Sequence, residues 1–217
     1  YGLGPPTAQF NDVLIGRLED IPGVTSAGGI SSLPLTGGEE RYAAEIDKFP
    51  STEGELPPFF PFWRVTPGYF ETMGIPVIEG RSFIPEDHHL RLGSLIISQS
   101  FKEQYWPDES ALDKRIQANG RPESSVGVVG DVHIAGLGFP AEPHIYKPML
   151  DAVGGDVRRM TMVVRSDADP LSLVPAVRAA IESIDPDLPI SNIRSMESLV
   201  ADSMSRTSFI MSLLLLA

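Results

Sequence analysis

Phe10, Leu14, Leu18 and Ile21 recur four, four and three residues apart, so a helix from Thr7 to about Asp20 has one oily face. Thr7 suits the cap of that helix, and Pro22-Gly23 ends it. The period then shortens. Val24 to Ser31 reads as a strand and Leu33-Pro34-Leu35-Thr36-Gly37-Gly38 as a loop. Tyr42 to Phe49 alternates, with Tyr42, Ala44 and Ile46 on one face. The Pro-rich stretch Pro50 to Pro61 then leads to a strand at Phe62 to Thr66.

The middle of the chain has shorter periods and more breakers. Thr66 to Gly74 predicts a short helix stopped by glycine, Ser94 to Ser98 a strand, and Ser100 to Trp106 one or two helical turns. Lys114 to Ala118, Ser125 to Val129 and His144 to Tyr146 predict further short strands. These pieces suit a small mixed subdomain inserted into a larger one.

A helical period returns near the end. Asp169-Pro170 or Ser172 opens a helix with Leu173, Val177, Ile181 and Ile184 on one stripe, Pro175 in its first turn and Asp185-Pro186 closing it. Strands are expected on both sides, Met160 to Arg165 and Leu188 to Arg194, making a β-α-β unit. Leu18-Glu19-Asp20-Ile21-Pro22 superposes on Ile181-Glu182-Ser183-Ile184 with Asp185-Pro186, and Phe10 and Leu14 fall on Leu173 and Val177. That offset suggests an internal duplication whose first copy lacks only a leading strand ahead of Tyr1.

Ser195 caps a last helix, with Met196, Leu199, Val200 and Met204 on one face, which runs without a breaker into Phe209-Ile210-Met211-Ser212-Leu213-Leu214-Leu215-Leu216-Ala217. Nine helical residues rise roughly 13 Å against a hydrocarbon core of about 30 Å. The tail is therefore expected to be the start of a longer transmembrane helix; the alternative is a terminal helix docked in the domain's own groove.

Composition narrows the classes. The 217 residues carry a formal net charge of -12, which argues against nucleic acid and against anionic lipid, both of which need clustered Lys and Arg. No cysteine is present, so disulfides and thiolate metal sites are excluded, a composition suited to an extracytoplasmic compartment. Twenty Pro and twenty Gly are dispersed through a chain that is 42% hydrophobic, which fits a folded, loop-rich α+β domain.

Candidate chemistry is sparse. Asp87-His88-His89 and Asp131-x-His133 hold metal-ligating residue types, but neither has a zinc signature, and a solvated loop and a Gly-Asp turn are the expected readings. A metal-dependent hydrolase using Asp131 and His133 is the enzyme alternative. Gly127-Val128-Val129-Gly130 and Gly136-Leu137-Gly138 lack a phosphate-loop lysine, so they are expected to serve turns and bulges. Phe59-Phe60-Pro61-Phe62-Trp63 is either a partner patch or a strand with Phe60 and Phe62 buried, and the strand is favoured; Met160-Thr161-Met162 reads the same way. No catalytic, cofactor-binding or metal-binding residues are assigned.

Several segments together resemble a known family. Val65-Thr66-Pro67-Gly68-Tyr69-Phe70-Glu71-Thr72-Met73-Gly74-Ile75-Pro76 and Glu79-Gly80-Arg81-Ser82-Phe83 are similar to a stretch of the periplasmic core domain of MacB-like ABC transporter permeases. Ile97 to Phe101, Tyr105 to Glu109 with Leu112 to Ile116, and Val126 to Val132 continue the likeness, followed by Met162 to Ser166, Ile184 to Ile190 and Met196 to Val200. Leu112-Asp113 departs from a pairing that usually ends in Gly. The likeness is to the FtsX/MacB-type permeases, and most to the large duplicated ones.

The resemblance implies an α+β fold: a porter-like subdomain of duplicated β-α-β units at 1–66 and 150–205, an inserted mixed subdomain at 67–149, and the start of a transmembrane helix at 206–217. It implies a non-catalytic periplasmic domain of an inner-membrane protein that transmits ATP-driven conformational change to a substrate or envelope partner. The implied partners are the rest of the permease, a cytoplasmic ATPase subunit, a second permease copy and a periplasmic adaptor. The alternative is a membrane-anchored binding or assembly module without transport activity.

Overall fold

The computed structural model describes residues 5–36, 38–52, 54–89, 93–118, 120–134, 136, 138–149 and 160–214, with side chains described for these except 5–9, 89 and 206–214. In chain order the elements are α1 (Pro5–Glu19), β1 (Val24–Ile30), β2 (Glu40–Ile46), β3 (Phe59–Val65), α2 (Tyr69–Met73), β4 (Val77–Gly80) and α3 (Pro85–His89). There follow β5 (Ser94–Ser98), α4 (Gln99–Tyr105), β6 (Arg115–Ala118), β7 (Arg121–Val129), β8 (Ile145–Pro148) and β9 (Thr161–Ser166). A short 3-10 turn at Pro170–Leu173 leads into α5 (Val174–Glu182), and α6 (Met196–Leu214) is the last.

Six strands close on themselves in the order β2-β6-β7-β5-β8-β3, with β3 pairing back onto β2. The barrel is mixed: β3–β8 and β5–β7 are parallel and its other ladders antiparallel. A barrel of this size has room inside only for side chains. Each strand contributes to that interior, from Ala44 and Ile46 through Phe60, Phe62, Leu95, Ile97, Ile116, Val128 and Ile145. Phe101 and Trp106 join the same cluster, so α4 and the residue after it plug one end. The plug is capped at its start by Ser98, whose Oγ accepts the Phe101 N–H at 3.2 Å.

Outside the barrel, β1 and β9 form an antiparallel ribbon. The pleat gives the ribbon two buried faces: Ile30 and Val163 turn toward α2 and the barrel, while Ala27, Met162 and Val164 turn toward α1 and α5. Leu14, Leu18 and Ile181 complete that second core, as the helical periods predict. The fold is thus mixed α+β, a six-stranded barrel beside a helix-backed ribbon.

Several expectations need correction. The helix α1 starts at Pro5, ahead of Thr7, because the fixed φ of proline suits a first turn. Strand β3 begins at Phe59, so Pro61 lies inside a strand where a connection was expected. Strand β2 ends at Ile46, with Phe49 turned back onto Ile46. The Asp87-His88-His89 stretch is no solvated loop. It belongs to α3, with Asp87 and His88 buried. No strand forms at Leu188 to Arg194: Leu188 and Ile190 do turn inward onto the α1–α5 core, but Asn192 takes a φ of 57° and no ladder is formed among the described residues. The oily tail continues α6 to Leu214, and Leu215 to Ala217 lie outside the described residues.

Truncating the plug should unfasten the barrel interior. Phe101→Ala is expected to lower the unfolding free energy by about 3–5 kcal/mol. Phe59→Ala, at a residue 53% exposed, should change it by no more than about 0.5 kcal/mol, both read from urea midpoints.

Candidate functional site

The two layers meet at one seam, and β3 makes it. Its first half pairs with β2, and Val65 at its far end pairs with Ile30 of β1. Around that contact the Gly29 N–H donates to Thr66 Oγ1 at 2.8 Å and the Thr66 N–H to the Gly29 carbonyl at 2.9 Å. The Ser31 N–H donates to the Arg64 carbonyl at 2.8 Å, and the Arg64 N–H to Ser31 Oγ at 3.1 Å.

Helix α2 wedges into the same place. It leaves the turn at Gly68, where φ is 81°, and ends at Gly74, where φ is 70°, both values that favour glycine. The wedge sits so close to β1 that a Cβ on Gly28 would stand 2.7 Å from Tyr69 Cα. From the ribbon, Arg165 Nε donates to the Thr72 carbonyl at 2.8 Å, tying β9 to the end of α2. Ribbon and barrel are thus joined by close backbone approach and by the side-chain bonds of Thr66, Ser31 and Arg165.

Behind α2 lies an aromatic cluster on the outer barrel wall. Trp63 and Tyr146 stack with centroids 5.6 Å apart, and His144 meets Tyr146 edge-on at 5.1 Å and Trp63 at 5.4 Å. Phe70 meets Tyr146 edge-on at 4.9 Å. The polar tips Trp63 Nε1, Tyr69 Oη, His144 Nε2 and Tyr146 Oη are buried without a hydrogen-bond partner among the described residues. Burial holds His144 neutral, taking its pKa down to about 4, and pushes the Tyr69 and Tyr146 hydroxyls up. His144 Nδ1 sits 2.8 Å from the Glu142 carbonyl, so in the neutral ring it carries the proton.

At the barrel end away from the plug, charge enters the interior. Lys147 Nζ lies 2.7 Å from Glu123 Oε1, with both side chains buried, and faces the Phe62 ring at 5.2 Å. Arg64 faces the same ring at 5.5 Å and reaches Glu40 Oε2 at 3.3 Å, an oxygen that also accepts the Tyr42 hydroxyl at 2.8 Å. No spacing in the sequence marks the Lys147–Glu123 pair, whose members are brought together only by barrel closure.

The residues that suggested metal or hydrolytic chemistry are each held in other work. Asp87 takes both guanidinium nitrogens of Arg81, at 2.6 and 3.0 Å, the Ile84 N–H at 2.9 Å and the Ser94 hydroxyl at 2.6 Å. Burial would raise its pKa, but these donors, Arg81 first, hold the carboxyl below its usual range. The Ile84 bond is half of a capping box, and Pro85 with an acid at the third helical position was its legible signal. His88 packs edge-on against Phe83. The His89 side chain lies outside the described residues. Asp131 Oδ1 accepts the Ser100 N–H and hydroxyl at 2.9 and 2.8 Å, at the start of α4. His133 Nδ1 is 2.8 Å from the Phe139 carbonyl. Ser98, His144 and Asp131 come near one another, yet Ser98 Oγ accepts backbone N–H groups of Phe101 and His144 and makes no bond to the imidazole. Among the described residues no three His, Asp or Glu converge as a metal site. Phe60, Phe62 and Trp63 are buried in β3, as the favoured strand reading has it.

The barrel and ribbon recur in solved structures. The periplasmic region of MacB from Actinobacillus actinomycetemcomitans matches with a TM-score of 0.57 and 16% identity, over 80% of this chain and 73% of that one. The chain has the fold of the MacB periplasmic region. The extracellular domain of the noncanonic ABC-type transporter YknZ from Gram-positive bacteria matches with a TM-score of 0.54 and 16% identity, over 86% of this chain and 92% of that one. No protein-family model matches the sequence, and no curated protein matches it. Within this MacB-type fold, the quoted motifs are structural fasteners. Tyr69 and Phe70 fill the seam, Gly80 takes a φ of 68° beneath Val126, and Arg81 clamps Asp87. Asp113, where the resemblance leads one to expect glycine, takes a φ of 59°, a conformation Asp tolerates better than most residues.

Two measurements probe this seam. Gly28→Ala should cost about 1–3 kcal/mol by pushing backbone against backbone. Gly16→Ala, in an open stretch of α1, should instead stabilise by about 0.5–1 kcal/mol in the same denaturation assay. His144 is protonated more readily unfolded than folded, so its contribution is complete above the unfolded value near 6.5 and falls as pH drops toward about 4. His144→Asn, which keeps a donor for the Glu142 carbonyl, should flatten the loss of stability over that window in pH-dependent unfolding curves.

Proposed function

We propose that this chain is the extracytoplasmic domain of an ABC-type permease and relays ATP-driven movement across the seam between ribbon and barrel. The observation that carries this reading is the barrel-and-ribbon fold held in common with the MacB periplasmic region and the YknZ extracellular domain. In this reading 1–66 and 150–205 are the porter-like part, in which α1 and α5 are the helices of two copies of a β-α-β unit, and 67–149 is the insertion, whose strands close a barrel with β2 and β3 of the first part.

In this reading movement enters through α6. Ser195 caps it, its Oγ accepting the Ser198 N–H at 3.2 Å, and Arg194 pairs with Asp202 at 3.1 Å across the cap. The helix runs unbroken from Met196 to Leu214. Among the described residues no helix is long and apolar enough to cross a membrane. The role given to α6 is that of a stiff lever leading into a membrane-spanning segment, and near its start Leu199 is buried. A relay of this kind needs two states whose balance ATP binding shifts, together with a connection stiff enough to report the shift. The ATPase is a separate cytoplasmic domain or subunit, and the partner of the barrel is a substrate, an adaptor or a second copy.

A short Gly-rich insertion after Ser205 in the full-length protein should abolish transport by the assembled, ATPase-containing complex. The melting temperature of the extracytoplasmic domain should stay unchanged. Transport at the wild-type rate would remove α6 from the relay.

A further inference from the structure

Two methionine sulfurs converge on Gly29 of β1. Met162 is its ladder partner in β9, and Met160 lies two residues back along the extended chain, on the same face of the ribbon. A Cβ at Gly29 would stand 2.9 Å from the Met160 sulfur, 3.3 Å from the Met162 sulfur and 3.2 Å from Cγ2 of Thr66. Two thioethers and one methyl group therefore fill the space that glycine leaves. Thr66 is also a fastener between ribbon and barrel, since its Oγ1 accepts the Gly29 N–H at 2.8 Å and its own N–H donates to the Gly29 carbonyl at 2.9 Å. The thioethers pack on that fastener, and both methionines are only half-buried.

We propose that Met160 and Met162 are a modification site, where oxidation of the sulfurs to sulfoxide by a peroxide loosens the seam and enzymatic reduction restores it. With no cysteine in the chain, thioethers are its only oxidisable sulfurs. In the step, the sulfur lone pair attacks one oxygen of hydrogen peroxide, so that an S–O bond forms as the O–O bond breaks and sulfur gives up two electrons. The departing hydroxide takes the proton from the oxygen left on sulfur and leaves as water.

The product is polar and its surroundings are not. A sulfoxide oxygen on Met162 meets Gly29 and the Thr66 methyl group or the apolar cluster of Leu14, Leu18 and Ile181, and the Gly29 N–H is already bonded to Thr66. Burying that oxygen without a partner is costly, so the side chain must swing toward water. Gly29 then loses the packing that holds it against Thr66. Met196 and Met204, 40% and 55% exposed, take the same oxygen in solvent and give the internal comparison. The chemistry requires only that peroxide reach the ribbon, so its failure would leave the transport reading standing.

Hydrogen exchange on the full-length protein in nanodiscs, before and after hydrogen peroxide, tests this, with peptide mass spectrometry reading the sulfoxide at each methionine. Once Met160 and Met162 are oxidised, the Gly29 and Thr66 amides should exchange roughly 10-fold faster or more, while barrel amides such as Ile97 keep their rates. Methionine sulfoxide reductases for both epimers should restore the slow rates. The double variant Met160→Leu with Met162→Leu keeps the volume and apolarity, and its Gly29 and Thr66 amides should not respond to peroxide. Unchanged exchange in the oxidised wild type would overturn the proposal, as would acceleration that persists in the double variant. Met160 and Met162 staying reduced while Met196 and Met204 are fully oxidised would also overturn it. Should the double variant fold poorly, the wild type decides alone: exchange that stays fast after both sulfoxides have been reduced counts against the proposal.

Discussion

Everything in this domain depends on β3 having two neighbours along one edge. Its first half is needed to close the barrel against β2, and its end is needed to hold β1. Neither demand can be met by a longer or shorter strand, because the two partners divide its length. The close approach of Gly28 to Tyr69 follows from this geometry: once β1 is fixed to the end of β3, α2 has only the space above the ribbon into which to fold. Small residues at 28 and 29 are the sequence's answer to that crowding.

Charge and burial are distributed to suit such a joint. The aromatic cluster behind α2 is neutral, with a histidine kept uncharged by burial and two tyrosines kept protonated, while Arg165 brings a charge to the end of α2. The interior ion pair Lys147–Glu123 lies in the barrel, where a buried pair contributes more to a unique register than to net stability. A barrel with slipped strands would separate these two residues and leave each charge buried alone.

The sequence was most legible where one face of an element is buried and the other wet. α1, α5 and β2 carried clear periods, and β1, β5 and α2 were bounded by glycine, proline or serine. Legibility failed for two physical reasons. In β3 both faces are covered, and α3 buries Asp87 and His88 while Pro85 and Glu86 stay exposed, so Pro61 and Asp87 looked like loop residues although their own surroundings are dry. In Leu188 to Arg194 the alternation was real, but a strand exists only when another backbone lies beside it, and periodicity cannot supply one. The candidate metal residues were misleading for a related reason: Asp87 and Asp131 are short acids at helix starts, where backbone N–H groups compete successfully for their oxygens. The seam had no motif of its own, although Gly28-Gly29 and Thr66-Pro67-Gly68-Tyr69 were both on view as separate segments.

The pairing of Ile30 with Thr161 has a kinetic consequence. Roughly 130 residues of chain separate these two neighbours, so forming the ribbon first would mean closing a very long loop with little to hold it. The barrel's local hairpins, β2 with β3 and β6 with β7, carry no such penalty. Folding should therefore begin in the barrel and bring the ends of the ribbon together only as it finishes, which makes the ribbon the last part to assemble and the first to open.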